Sequence, residues 1–288
     1  MVAAADEPAL ARLFPREAPV RSGLLERALR VAAARAAAPG DLKFTERQLY
    51  YELCRVLLPA HLLPRRLPFT LAPPLGHGRF AAALGRLGDV PGLLAAPPHR
   101  RPRPGAPAEP DLYDYGLPRL LVCQDPAIAR MLVANDWHLE AACPVLAADD
   151  LPLDPRLTAA LGRVPDAVVL VLHDASAQGT ALPGRVRAQL GPGAPRVAAL
   201  GLTPRHAASL HLARGRATGP ALPAASLDRR ELRWLARGRY AEVAAVNPAH
   251  LLRTLHRLVR DGGASPPGAA TGGVEAPRDT GFLTWPTR

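Results

Sequence analysis

The sequence predicts an α/β protein in which a helical N-terminal part is followed by a parallel sheet with helices between its strands. Three observations carry this prediction. Residues 42–58 combine a helix-start signal with apolar residues at helical spacing. Residues 168–172, VVLVL, form a continuous aliphatic run of the kind that is buried on both faces of a parallel sheet. Between residues 120 and 259, short apolar runs alternate with helical segments, as in strand–helix–strand units.

The N-terminal part is predicted to contain three helices. In the second of them, Thr45 and Gln48 form a capping box, in which each side chain accepts the backbone N–H of the other residue. The apolar residues of its buried face are Leu49, Leu53, Val56 and Leu57. The first helix is expected over residues 22–38 and the third over residues 78–87. The proline-rich residues 64–75 are expected to form a hairpin or wing between the second and third helices.

The second part is predicted to be the sheet. Its strands are expected at residues 120–123, 142–146, 168–172 and 197–200, and its helices at residues 126–135, 185–190, 204–213, 228–236 and 248–259. Residues 95–111 contain six prolines and are expected to be an extended linker. Residues 1–22 and 261–288 lack periodicity and are expected to be flexible. The predicted domains are therefore residues 23–94 and 112–260.

The charge of the chain suggests a polyanionic partner. Its 288 residues carry a formal net charge of +11, and arginines cluster at residues 65–66, 100–103 and 229–233. Double-stranded DNA is the partner that this balance favours. A merely solvated basic surface is the alternative, because the chain is rich in arginine, alanine, proline and glycine. Base composition of the coding sequence alone can produce such a bias.

Several classes of protein are not expected. No run approaches the roughly 18 uninterrupted apolar residues of a membrane span, and the N-terminus lacks the layout of a signal peptide. We therefore expect a cytoplasmic protein without a membrane partner, associated with the nucleoid if it binds DNA. Three cysteines lie in apolar segments without metal-ligand spacing, and we expect buried, reduced thiols at Cys54, Cys123 and Cys143. No nucleotide-binding P-loop motif is present, so an ATP-driven step would need a separate ATPase subunit.

One tyrosine of the capped helix is a candidate nucleophile. Arg47, Tyr51 and Arg55 stand four residues apart and share a helix face, which places one phenol between two guanidinium groups. Nearby positive charge favours the phenolate and offers donors to a phosphate, so Tyr51 is a candidate to attack a phosphodiester. The alternative is an ordinary half-exposed helix residue. Tyr50 lies about 100° away and is expected to pack in the core.

The string T-x-R-Q-L-Y-Y, residues 45–51, resembles a motif of the winged-helix domain of topoisomerase VI A subunits and of the related transesterase that makes meiotic double-strand breaks. The resemblance implies a winged-helix-like DNA-binding domain over residues 23–94. It also implies that Tyr51 is the nucleophile and that Arg47 belongs to the same active site. The residues expected to contact DNA are Lys43, Arg55, Arg65 and Arg66.

A second resemblance concerns the segment that follows VVLVL. The spacing of Asp174, Ser176 and Gly179 is similar to the D-x-D-x-x-G motif of Toprim domains, which follow the winged helix in topoisomerase VI A subunits. Residues 198–204 and 241–251 look like the LALTP and ELDALPP stretches of related bacterial Toprim proteins. Together these matches extend from about residue 42 to residue 259, and they imply a Toprim-like sheet domain.

The Toprim match departs from the family at the residues that hold magnesium. Gln124 stands where the family has a glutamate, and Asp174 is the only one of the usual three acids that remains. Asp125 can replace the lost glutamate only if its loop turns inward, and Glu242 matches a further family carboxylate. We therefore expect weak or absent Mg²⁺ binding, with Asp174, Asp125 and Glu242 as the candidate ligands. His173 is either an additional ligand or a surface residue.

Three functions follow from these resemblances. The first is a topoisomerase VI A-like DNA transesterase, a type IIB topoisomerase that in this family works as a homodimer. The second is a catalytically inactive DNA-binding or scaffold protein with an eroded metal site. The third is a Toprim nuclease like the nuclease subunit of plasmid-defence condensin systems. The missing acids weaken the third most, because Toprim carboxylates carry all the chemistry there.

Overall fold

The chain is mixed α/β, with three N-terminal helices packed against a four-stranded parallel sheet and its helices. The computed structural model describes residues 22–62, 68–95, 116–191, 193, 195–217 and 227–262. Most of the expected linker, nearly all of both expected flexible ends, and Arg65 and Arg66 lie outside these ranges, whereas residues 22, 261 and 262 are helical. None of the described helices combines the length and the apolar character that crossing a membrane requires.

The three predicted N-terminal helices are confirmed. They are α1 (Ser22–Ala37), α2 (Glu46–Leu57) and α3 (His77–Leu87). The capping box is also confirmed, because the Gln48 N–H donates to Thr45 Oγ1 (3.1 Å) and the Thr45 N–H donates to Gln48 Oε1 (2.9 Å). Leu49 and Leu53 of α2 are fully buried. The local signal at residue 45 therefore fixes where α2 begins. The predicted buried face is wrong at its end, because Leu57 is exposed and Val56 is only partly buried.

The sheet contains β1 (Arg119–Cys123), β2 (Val145–Ala147), β3 (Val168–Leu172) and β4 (Arg196–Gly201). The strand order is β2-β1-β3-β4 and all three pairings are parallel. All five residues of β3 are buried, as the VVLVL run predicts. Since the strands are parallel, the loops that follow β1 and β3 meet at the same edge of the sheet.

Helices cover both faces of this sheet. Between the strands lie α4 (Pro126–Ala134), α5 (Trp137–Glu140), α6 (Pro155–Gly162) and α7 (Ala177–Leu190), and α8 (Pro204–Ser209) follows β4. On one face, α6 and α7 pack on the side chains of Val122 and Val171. On the other face, α4 and the last helix, α10 (Pro248–Gly262), share a core with α1 and α2. The N-terminal helices therefore lie against one face of the sheet.

Two short strands and one helix complete the described chain. β5 (Gly215–Arg216) pairs antiparallel with β6 (Arg239–Tyr240), and α9 (Arg229–Ala236) lies between them in sequence. Directly after β6, Ala241 exchanges two backbone hydrogen bonds with Ala175, at 2.9 and 3.1 Å. This bridge places residues 241–246 beside the loop that follows β3.

The expected wing is wrong for the part of it that the structure describes. Residues 68–72 are extended, but they pair with the second half of the chain instead of folding into a hairpin. The Phe69 N–H donates to the Ala208 carbonyl (3.0 Å), and Leu71 forms a bridge with Ala213. The Phe69 ring stacks on His211 at 4.3 Å between centroids. Burial of these apolar side chains against the sheet domain outweighs a local turn.

Several element boundaries also differ from the predictions. α6 was not predicted, and α7 begins at the Ser176 cap although Pro183 lies inside it. α8 ends at Ser209 instead of residue 213, and β2 starts three residues later than expected. The three cysteines are free and buried, as predicted.

Candidate functional site

The first turns of α2 place Arg47 and Tyr51 against the segment that follows β6. Arg47 forms a bidentate ion pair with Glu242, in which Nε donates to Oε2 (2.6 Å) and Nη2 donates to Oε1 (2.5 Å). The two residues are 195 positions apart in sequence. An arginine of the first half of the chain is therefore bound to a carboxylate of the second half. Such paired, charge-assisted hydrogen bonds are among the strong ones in proteins.

Tyr51 lies beneath this ion pair and is only 3% exposed. The guanidinium carbon of Arg47 lies 5.5 Å from the centre of the Tyr51 ring. Burial raises the pKa of Tyr51 above its ordinary value, and the negative charge of Glu242 raises it further. Arg47 alone acts in the opposite direction. The expectation of a phenol activated by flanking arginines is therefore wrong in this conformation, where Tyr51 is a buried, neutral phenol.

Arg55, the second flanking arginine, is also engaged within the protein. Its guanidinium donates to the Glu52 carboxylate and to the Ala245 carbonyl oxygen. Glu52 in turn accepts a hydrogen bond from Asn247 Nδ2 at 2.6 Å. In this conformation Arg55 ties α2 to the segment after β6, so its predicted DNA contact would require these bonds to break. Lys43 is exposed, and its predicted DNA contact remains a prediction.

Tyr50 packs in the core, as predicted. It is 4% exposed and its hydroxyl donates to the Leu75 carbonyl at 2.7 Å. Its ring meets Phe80 edge-on, with 5.4 Å between centroids. The two adjacent tyrosines are therefore both buried, and the charge of Glu242 acts on both of them.

The loop after β3 is built around Asp174. Its backbone N–H donates to Gln124 Oε1 at 2.8 Å, and its carboxylate Oδ1 accepts the Val243 N–H at 2.7 Å. Gly179 lies against this loop so closely that an added Cβ would be 2.5 Å from Gln124 Oε1. Gln124, which takes the place of the family glutamate, thus orders the loop through an uncharged hydrogen bond.

Asp125 and Ser176 serve as helix caps. Asp125 Oδ1 accepts the Ala127 N–H at 2.8 Å and begins α4, and Ser176 Oγ accepts the Gly179 N–H at 2.9 Å and begins α7. Both therefore have a structural role that requires no ligand.

The structure brings five of the predicted site residues into one neighbourhood. We call Arg47, Tyr51, Asp125, Asp174 and Glu242 the acid–arginine cluster. The charges of Glu242, Asp125 and Arg47 all act on the Asp174 carboxyl, and those of Glu242 and Arg47 act on Asp125. Residues from α2, from the edge of the sheet and from the segment after β6 thus converge, although they are far apart in sequence.

The residues of this cluster do not fit a magnesium site of the Toprim family. Glu242 is bound by Arg47, and Asp174 and Asp125 each direct an oxygen at a backbone N–H. Within the described residues, no three His, Cys, Asp or Glu side chains are arranged to hold a metal ion. Weak or absent Mg²⁺ binding remains a prediction that isothermal titration can test.

The surface position that the sequence allowed for His173 is wrong, and its role as an additional ligand stays a prediction. It is 2% exposed, and its Nδ1 lies 2.9 Å from the Asp174 carbonyl oxygen. Burial lowers the pKa of His173 to about 4, against a smaller opposing effect of that hydrogen bond. The imidazole is therefore neutral at physiological pH and supports the loop after β3.

Comparison with family models, with curated proteins and with solved structures finds no match to this chain. The resemblance to topoisomerase VI A subunits therefore stays a prediction from the sequence motifs at residues 45–51, 174–179, 198–204 and 241–251.

Sequence reasoning missed two residues that shape the site. Gln124 was interpreted only as a lost acid, although its position directly after β1 and its amide oxygen indicate a partner for the neighbouring loop. Tyr240 was not singled out, yet its ring packs over the backbone of Gly215 and its hydroxyl group is close enough to act electrostatically on Tyr51. The alternation R-Y-A-E at residues 239–242 places Tyr240 and Glu242 on the same side of the chain.

The Asp174 carboxyl is expected to make stability depend on pH. Burial, with smaller contributions from Glu242 and Asp125, raises the pKa of Asp174 to about 7. The folded state therefore holds a proton that the unfolded chain releases, so the contribution of Asp174 to stability falls as the pH rises from about 4 to about 7, while the buried His173 contributes in the opposite direction. We expect Asp174→Asn, which can still accept the Val243 N–H, to remove about 2 kcal/mol of this decline. Urea unfolding of both proteins at pH 5 and pH 7.5 measures this difference in the free energy of unfolding.

The control for this measurement is Asp166→Asn, because Asp166 is exposed. It should leave the pH dependence of the wild-type protein unchanged. An Asp174→Asn protein whose stability falls with pH as steeply as the wild type would contradict a protonated Asp174.

Proposed function

We propose that the chain is a duplex-DNA-binding protein, resembling the A subunit of topoisomerase VI, whose tyrosine site is held closed so that it engages DNA without cleaving it. The observation that carries the proposal is the ion pair between Arg47 and Glu242, which covers the buried Tyr51. The motif residues are present, but they bind each other instead of facing solvent.

Two observations support DNA as the partner. The first is the resemblance of residues 45–51 and 174–179 to the tyrosine and Toprim motifs of a DNA-cleaving family, in which each tyrosine acts with the Toprim site of the other subunit. The chain also carries a formal net charge of +11, which favours association with a phosphate backbone. A solvated basic surface accounts for the charge but not for the two motif resemblances.

The chemistry of the site argues against turnover in this conformation. A tyrosine nucleophile must reach the phosphorus atom and lose its proton as it attacks. Tyr51 is 3% exposed, its pKa is raised, and the nearest carboxylate, Glu242, is ion-paired. Arg47, which would otherwise stabilise the developing charge on phosphate, is neutralised by the same pair. A nuclease mechanism is weaker still, because it would need the metal site that these acids do not form.

Transesterification is the second candidate, because Tyr51, Arg47 and an acidic residue already lie together. It would require the ion pair of Arg47 with Glu242 to open when DNA or a second copy of the chain binds. A homodimer and a separate ATPase subunit belong to this second candidate, as they do in the family it resembles.

Supercoiled plasmid distinguishes the candidates. In the presence of Mg²⁺ or Mn²⁺, we expect the wild-type protein and Tyr51→Phe to slow the plasmid equally in a gel and to leave it supercoiled after deproteinisation. Cleavage or relaxation that disappears in Tyr51→Phe would establish the transesterase instead. Cleavage that persists in Tyr51→Phe would favour the nuclease. Failure of the wild-type protein to bind any duplex would reject all three DNA functions.

A further inference from the structure

We infer that four arginines in and beside the paired strands β5 and β6 form the surface that contacts the phosphate backbone of nucleic acid. They are Arg214, Arg216, Arg237 and Arg239. We call them the arginine quartet. This inference rests on the proposed function and adds to it the place where DNA binds. None of the four was among the residues that the sequence motifs single out.

The quartet is created by two copies of the tripeptide Arg-Gly-Arg, at residues 214–216 and 237–239. β5 and β6 run antiparallel, so that Arg216 stands directly opposite Arg239 and Gly215 opposite Tyr240. Because side chains alternate along a strand, the two arginines share one face of the hairpin and Tyr240 lies on the other. Gly215 leaves room for the Tyr240 ring, since any Cβ there would overlap it.

This arrangement separates two surfaces. The face with Tyr240 is directed towards the acid–arginine cluster, where the charges of Tyr240, Tyr51 and Arg47 act on one another. The opposite face presents Arg216 and Arg239. Arg216 and Arg237 are exposed, and Arg214 and Arg239 are partly buried. The pair of strands β5 and β6 thus holds the quartet next to the candidate site.

No acid neutralises the quartet in the part of the chain that the structure describes. The side chains that act electrostatically on Arg239 are Arg214, Arg237 and Arg216, and all are positive. Burial and this repulsion lower the pKa of Arg239 below its ordinary value. The Arg239 Nε is enclosed and lacks a hydrogen-bond acceptor among the described residues. The connecting residues 217–227 contain no acidic side chain in the sequence.

Opposed like charges across a strand pair are unfavourable unless an anion binds them. Other arginines of the protein have acids as partners, as Arg47 and Arg55 do. Among the described residues the quartet lacks such a partner, and a phosphate oxygen would supply the missing negative charge. Repulsion within the free protein is therefore relieved when a polyanion binds.

Further arginines extend this basic surface. α9 leads directly into β6 and carries three exposed arginines, at positions 229, 230 and 233. Seven arginines on a helix and on the strand pair next to it suit a chain of phosphates better than a single small anion. The expected ligand is therefore the phosphate backbone of a nucleic acid, bound without contacts to the bases.

The test uses Arg216→Ala/Arg237→Ala. Both side chains are exposed, so these substitutions leave the core unchanged. The matched control is Arg156→Ala/Arg185→Ala, which removes the same charge from exposed positions on α6 and α7, across the sheet from the N-terminal helices. Binding of a fluorescent 20-base-pair duplex is measured by anisotropy between 0.05 and 0.3 M salt. Circular dichroism verifies that both variants are folded.

We expect the quartet variant to bind about 10-fold more weakly at 0.15 M salt, with a log–log salt slope shallower by about 2, and the control to change less than about 2-fold. Equal losses in both variants, or none in the quartet variant while the wild type binds, would overturn the quartet and leave DNA binding in place. A wild-type protein that binds no duplex would overturn both. Quartet-dependent binding to anionic lipid vesicles without duplex binding would assign the surface to a membrane and overturn the inference.

Discussion

Gly179→Ala is expected to lower the free energy of unfolding by about 3 kcal/mol, because the loop after β3 has no space for a methyl group. An added Cβ would lie 2.5 Å from Gln124 Oε1 and 3.0 Å from the Asp174 nitrogen, and it would overlap the Asp174 carbonyl oxygen. Two of these three atoms belong to the backbone. They cannot move without breaking the hydrogen bond from Asp174 to Gln124. Urea unfolding followed by circular dichroism measures the loss.

Gly184→Ala provides a matched control in the same helix. Nothing lies within 4 Å of a Cβ built at Gly184, which is exposed. Since alanine favours helices over glycine, we expect this variant to gain about 0.5 kcal/mol. If both variants lose or both gain stability, the close approach of α7 to Asp174 is not the reason that glycine occupies position 179.

Arg47→Ala is expected to destabilise the protein by about 3 kcal/mol, since it leaves a partly buried acid without its partner. Glu242 would then face Asp174 and Asp125 without a neutralising cation. The double variant Arg47→Ala/Glu242→Ala should recover part of this loss, because the unpaired carboxylate is removed as well. A double-mutant cycle from urea unfolding gives the coupling between the two residues.

Arg86→Ala is the control for a surface ion pair. Arg86 Nε lies 3.3 Å from Glu26 Oε1, and half of the Arg86 side chain is exposed. Its removal should cost about 0.5 kcal/mol or less. A comparable small loss for Arg47→Ala, with no coupling to Glu242, would show that the pair covering Tyr51 does not hold the site closed.

Elements that begin at a capping residue or consist of one apolar run were predicted from the sequence. Thr45 and Gln48 fixed the start of α2, and the VVLVL run gave β3, because capping and burial leave a mark within a few residues. α6 has the same kind of signal, an Asp154 cap followed by Pro155, but its apolar spacing is short and it was missed. α7 was predicted eight residues too short, since its glycines and Pro183 conceal a helix that tertiary packing supports.

The state of the candidate site could not be predicted from spacing. Which residues match the motifs was evident from the sequence, but the partner of Arg47 is 195 residues away. Helix periodicity placed Arg47, Tyr51 and Arg55 on one face without showing what covers that face. Burial against residues 241–246 reversed the expected effect on the Tyr51 pKa. Electrostatics at a site depends on three-dimensional neighbours, which a pattern of seven residues does not contain.

The shared core has a practical consequence for dividing the polypeptide. Leu49 and Leu53 of α2 belong to the same apolar cluster as Leu251 and Leu255 of α10, and all four are fully buried. Cutting the chain in the proline-rich segment would expose these leucines to water, at about 2 kcal/mol for each side chain. An isolated N-terminal fragment would have an exposed apolar surface and would aggregate before its DNA affinity could be measured. The two halves have to be produced as one polypeptide.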